Sequence, residues 1–173
     1  AAKNPRQGIY QGDSMTSTAE ILAEWKASVF DSAEAQAITT IALDYDALSD
    51  IESLSELTAL FSGTQINCFV YTAYRMAETG SIRGTNSAAD RFTHYVRVDY
   101  ILEKISKDGA KNYNPTIDAL EVIDDLVRSD LGKNWGGLVD FHRCTGFSQP
   151  AIIDIEGRKA WRAGYTYEGV KTV

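Results

Sequence analysis

The stretch "TQINCFVYTAYRMAETG", residues 64–80, decides how the chain is read. It holds Cys68, one of only two cysteines, beside a good helix N-cap residue, Asn67. Gly80 suits the position just past a helix end, where a left-handed backbone closes the last turn. The spacing predicts a helix from Asn67 to Gly80 with the Cys68 thiol in its first turn. There it would face unpaired backbone N–H groups and the positive end of the helix dipole, and both favour a thiolate.

Upstream, three stretches have the form of helix starts. "STAE" (Ser17 to Glu20) has capping-box spacing, followed by Leu22, Trp25 and Val29 at helical intervals. "DSAE" (Asp31 to Glu34) leads into Ile38, Ile41, Ala42 and Tyr45. "SDIE" (Ser49 to Glu52) leads into Ile51, Leu54, Leu57 and Phe61. Downstream, Phe92, Tyr95, Val98, Ile101, Leu102 and Ile105 suggest a fifth helix over 88–107, ending at Asp108-Gly109. Asn114-Pro115 opens a sixth, lined by Ile117, Leu120, Ile123, Leu126, Val127 and Leu131 and stopped by Gly132.

The pattern then changes. "WGGLVDFHRC" alternates, and "AIIDIEGRKAWRAGYTY" reads as a hairpin about Glu156-Gly157. The paired Gly136 and Gly137 read as a tight bend before a strand. Trp161, Tyr165 and Tyr167 fall on one strand face, as core residues do. The expected fold is α+β, with a helix-rich N-terminal two-thirds and a small C-terminal antiparallel sheet. One domain over 1–173 is expected, with 1–15 extended or flexible.

The formal charge is −7. Residues 1–62 hold three Lys/Arg and ten Asp/Glu, and the remainder balances. This argues against nucleic acid and anionic membrane surfaces as partners, since both need a basic face. No apolar run approaches the roughly 20 residues of a bilayer span. The opening Ala1-Ala2 is what signal-peptide cleavage leaves, which suggests a secreted or extracytoplasmic protein. A trimmed chain would look the same.

The reactive set is Cys68, Cys144, His94 and His142. Their spacing matches no zinc pattern or nucleotide loop, so no metal and no cofactor are expected. Cys68 is the candidate nucleophile. His142 is the candidate proton shuttle, and Asp140 or Asp154 the residue orienting its ring. His94 reads as a structural histidine at the edge of an apolar stripe. The competing reading is a Cys68–Cys144 disulfide, closing a loop of roughly 75 residues and contributing about 4 kcal/mol. A third is two inert buried thiols.

"CFVYTAYRMAE" (68–78) resembles the nucleophile helix of papain-like cysteine peptidases. Cys68, Phe69, Tyr71, Thr72, Ala73 and Glu78 match in type and spacing. NlpC/P60-like peptidoglycan amidases and bacterial amidase toxins share that order of elements. The resemblance spans about eleven residues, and Gln65 lies three before the cysteine where the family's oxyanion Gln lies six before. It implies hydrolysis of an amide bond in a peptide or peptidoglycan, by Cys68, His142 and Asp140. The alternative is a non-catalytic secreted effector or binding protein with a protein partner. "SQPAIIDIEGRKAWRAG" is also similar to the last hairpin of thioredoxin-like proteins, with Pro150 as their cis-proline.

Overall fold

A computed structural model describes residues 16–44, 51–81, 88–104 and 110–172. The most local signals form as expected. Helix α1 (Thr18–Trp25) begins with Ser17 as N-cap. Ser17 Oγ accepts from the Glu20 amide, and Glu20 Oε2 accepts from the Ser17 amide. A π-helical turn, Lys26–Phe30, continues it. Ser32 caps α2 (Ala33–Ile38). After the short strand β1 (Ala42–Leu43), α3 spans Ile51–Leu60; its expected cap at Ser49 lies outside the described residues, as do 1–15 and Asp108-Gly109.

The fold class differs from the expectation. The stretch 67–81 is strand β2 (Asn67–Ser81), and the expected fifth helix is strand β3 (Ala88–Glu103). Helix α4 (Ala110–Leu126) follows, extended by a π turn, Val127–Leu131, and a 3-10 turn, Trp135–Gly137. Strands β4 (Phe141–Ile155) and β5 (Arg158–Thr172) form the last hairpin. The protein is therefore mixed α/β around a five-stranded sheet in the order β1-β2-β3-β5-β4, with β1 parallel to β2 and the other pairs antiparallel. The sheet is not a small C-terminal appendage.

The reason lies in two-sided burial. The helical-looking stripe of β3 divides between two faces: Phe92, Val98 and Leu102 on one, Tyr95 and Ile101 on the other. On the inner face Phe69, Tyr71, Val96, Val98, Tyr100, Ala163 and Tyr167 pack beneath α1, α2 and α4. On the outer face Cys68, Val70, Ile101 and Ala160 pack with Leu57 of α3 and Phe61 just after it. A strand covered on both sides shows apolar residues at every spacing, including three and four. Asn67 caps no helix. Its amide donates to the Ile38 carbonyl, and its Oδ1 accepts from Tyr100 Oη at 2.8 Å, joining the end of α2 to the sheet.

The hairpin turn forms as read. Glu156 and Gly157 both take positive φ (50° and 86°), as a two-residue turn between twisted strands requires. Arg158, just after it, donates to the Phe61 and Thr64 carbonyls and to Glu103, fastening the end of α3 to the sheet. Pro150 lies in β4, where the register shifts between Ser148 and Ala151, and its peptide bond is trans.

Close approach is tightest at Gly164. A Cβ there would lie 2.2 Å from Asp99 Oδ1 and 2.5 Å from the Val98 carbonyl. Gly164→Ala is therefore expected to destabilise by about 1–3 kcal/mol, the range for overpacking a filled site. At Gly146 the nearest atom would be 3.8 Å away, so Gly146→Ala should stay within about 0.5 kcal/mol of the parent. Urea unfolding of the two variants tests the contrast; equal costs would contradict it.

Candidate functional site

Cys68 is fully buried in β2 among Leu57, Phe61, Ile66 and Ile101. Burial pushes its thiol up to about 12, so it is held as the neutral, non-nucleophilic form. The electropositive helix start expected around it is absent, because the segment is a strand. Cys68 is level with Ile101, Arg162 and Ala151, whereas His142 is level with Gly169. With three strand intervals and seven residues of strand between them, the two lie on the order of 25 Å apart, on opposite faces. The pair is not brought together. Cys144 lies on edge strand β4, and both cysteines are free. A disulfide needs Cα atoms within about 7 Å, so Cys68 and Cys144, three strands apart, cannot bridge.

Asp140 is near His142 in sequence but serves the backbone. Its Oδ2 accepts from the Thr172 amide at 2.8 Å, and Lys171 Nζ approaches Oδ1 at 3.6 Å. Asp154 accepts from the Gly157 amide within the hairpin turn. Neither orients the imidazole.

His142 does occupy a built position. Its Nδ1 lies 3.2 Å from the Lys133 carbonyl. A carbonyl only accepts, so Nδ1 carries a proton and donates to it. One ring face stacks on Trp135, with centroids 5.8 Å apart at 28°. His142 also lines a cleft of about 420 Å³ with Arg128, Lys133 and Phe141. Arg128 is held by Asp124 Oδ2 at 2.6 Å, while Asp124 Oδ1 accepts from the buried Tyr167 hydroxyl at 2.9 Å. Burial, with Asp124 alongside, holds the Tyr167 phenol well above its usual range. The hydroxyl thus remains a donor.

Arg128, Lys133 and Phe141 were not singled out from the sequence. Cations after a helix read as ordinary C-terminal charge, and Phe141 as one member of an alternating strand. Only the indole position carried a signal, the paired glycines. Trp135, Gly136 and Gly137 all have positive φ (49°, 67° and 92°). The bend is real, and a Cβ on Gly136 would sit 2.9 Å from Glu24 Oε1.

His94 is structural by position, being 1% exposed in β3. Both ring nitrogens are buried without a hydrogen-bond partner. Burial first, then the nearby Arg75 guanidinium, lowers its pKa. Among the described residues no group of three His, Cys, Asp or Glu side chains is placed to share a metal ion. No described helix is long and apolar enough to cross a membrane.

No protein-family model matches the chain, and no curated protein sequence is detectably similar to it. The segment resembling a nucleophile helix is a strand, so its local pattern does not carry the helix that the peptidase families require.

Two measurements follow. Iodoacetamide at pH 8.5 should label Cys144 in the native protein and leave Cys68 unlabelled until urea is added, as read by peptide mass; early labelling of Cys68 would contradict its burial. Stability should fall as pH drops through about 6.5. Burial holds His94 less protonated in the fold than in the unfolded chain, where it takes a proton near 6.5, so unfolding takes up protons as pH drops through that value. Urea midpoints should show this loss, and His94→Phe should reduce it.

Proposed function

We propose that this protein is a binding protein for a small organic carboxylate with an apolar body, taken up in the cleft at His142. The observation that carries the reading is the His142 ring itself. It is fixed on both sides, by the Lys133 carbonyl and by Trp135, beside two cations in a chain of net charge −7. Lys133 and Arg128 supply attraction, and Arg128 adds planar donors suited to a carboxylate. Phe141, 49% exposed, supplies an apolar wall. A volume of about 420 Å³ lies within the usual range for small-ligand sites.

Thiol hydrolysis is not supported by this arrangement, because Cys68 is buried far from His142. The reading keeps His142 from the sequence analysis and moves its partners from Cys68 and Asp140 to Lys133, Arg128 and Phe141. It also keeps the non-catalytic alternative, without the disulfide staple.

Benzoate is a suitable probe, joining a carboxylate to an aromatic ring. Calorimetric titration should show saturable binding that weakens by about tenfold in Lys133→Ala, the loss of one charge-assisted hydrogen bond, and that also weakens in His142→Ala, the loss of a ring lining the cleft. Cys68→Ala, if folded, should bind as the parent does. Absence of binding by the parent, or equal affinity in all variants, would overturn the reading.

A further inference from the structure

Across the inner face of the sheet runs one transverse row: Arg75 on β2, His94 on β3, Gly169 on β5 and His142 on β4, each paired with the next. Both histidines of the chain are in it. The gap between them is the missing side chain of Gly169, and the Trp135 indole fills it. A Cβ on Gly169 would lie 2.6 Å from Trp135 Cζ3 and 2.9 Å from Val139 Cγ1. One imidazole is at the cleft and stacked on the indole; the other is interior to it.

Three features set Trp135 apart from an ordinary core residue. Its backbone is in the left-handed region at φ 49°, which side chains other than glycine adopt at a cost, and two glycines follow it. Its indole N–H is buried with no hydrogen-bond partner. It is therefore held in place by packing alone, against His142 and, edge-on at 5.4 Å, against Trp25. Moving the indole breaks no side-chain hydrogen bond.

His94 supplies the reason to move it. The fold keeps a polar ring in its central strand with neither nitrogen satisfied, although an apolar ring would fit the same core without that cost. A buried polar group without a partner calls for an explanation, and a partner arriving from outside is one. Its neutral form offers one N–H donor, which a carboxylate accepts. Arg75, whose guanidinium lies over the Phe92 ring, adds a positive charge beside it.

We propose that Trp135 is a movable plug, and that the carboxylate of a bound ligand passes it to reach His94 while the ligand's ring takes the indole's place over Gly169. The two imidazoles then lie on either side of one ligand. This rests on the cleft reading above and extends it inward. No covalent bond is made or broken.

Benzoate again serves as probe, with the protein labelled at its histidine rings and tryptophan indoles for NMR. The two histidine signals are assigned with His142→Ala and His94→Phe. Benzoate is expected to shift both His142 and His94, and the Trp135 indole N–H, with one common dissociation constant. A shift of His142 alone overturns the plug and leaves the cleft reading standing. No shift at either ring overturns both. In His94→Phe the melting temperature should hold or rise while benzoate affinity falls about tenfold; unchanged affinity would mean that His94 is only core. If that variant does not fold, the parent titration decides.

Discussion

Strand β3 is hydrogen-bonded along both edges, to β2 and β5, and packed on both faces. Every other element takes its place from it. A strand in that position leaves little room for error in polarity, and two of the ionisable residues it carries, Asp99 and His94, are handled in opposite ways. Asp99, 4% exposed, is neutralised by two arginines: Arg97 binds both of its oxygens and Arg162 binds Oδ2 at 2.9 Å. Gly164 removes the side chain that would collide with it. Removing one charge of such a set would leave another buried and uncompensated. His94, five residues away on the other face, receives no partner. The same strand shows what a satisfied buried group looks like, and His94 differs from it.

Local chemistry was legible in the sequence, and long-range pairing was not. The capping box at Ser17, the apolar stripe of α4 and the Glu156-Gly157 turn each depend on residues within a few positions, and each formed; the second helix start is capped by Ser32, one residue after the expected Asp31. The segments 67–81 and 88–103 depend on what covers them. Phe69 and Tyr71 meet the helices, while Cys68 and Val70 meet α3. Nothing within either segment says that a second layer will arrive on the far face. Without it, runs such as "CFVYTAY" fit a helix as well as a strand. Their β-branched and aromatic content was the countervailing signal, since such residues favour a pleated surface. Asn67 and Gly80 outweighed it.

The candidate site was legible in part for the same reason. His142 could be selected because histidines are few, but its partners come from the turn after α4 and from the far side of the strand. Cys68 shows how sharply surroundings decide chemistry. In the first turn of a helix the dipole would favour its thiolate; inside a sheet, burial drives the pKa the other way, to about 12. Residue type was right for a nucleophile, and the environment removes the property.

The two sides of the cleft are held by different means, and this locates its plasticity. Arg128 is tied to Asp124, and Asp124 to the hydroxyl of Tyr167, a core residue packed at 5.2 Å against Trp25. Asp124 is thus anchored in the packed interior, and the exposed guanidinium pairs with it at the surface. His142 is tied to a single main-chain oxygen of Lys133, in the connection that leads into the 3-10 turn. Between them stands Trp135, which takes part in neither chain of hydrogen bonds. A displacement at the turn can therefore shift the indole while leaving the Tyr167–Asp124–Arg128 series intact. The Asp124 side is anchored in the core, and the side that can yield is the one lying over His94's row of the sheet.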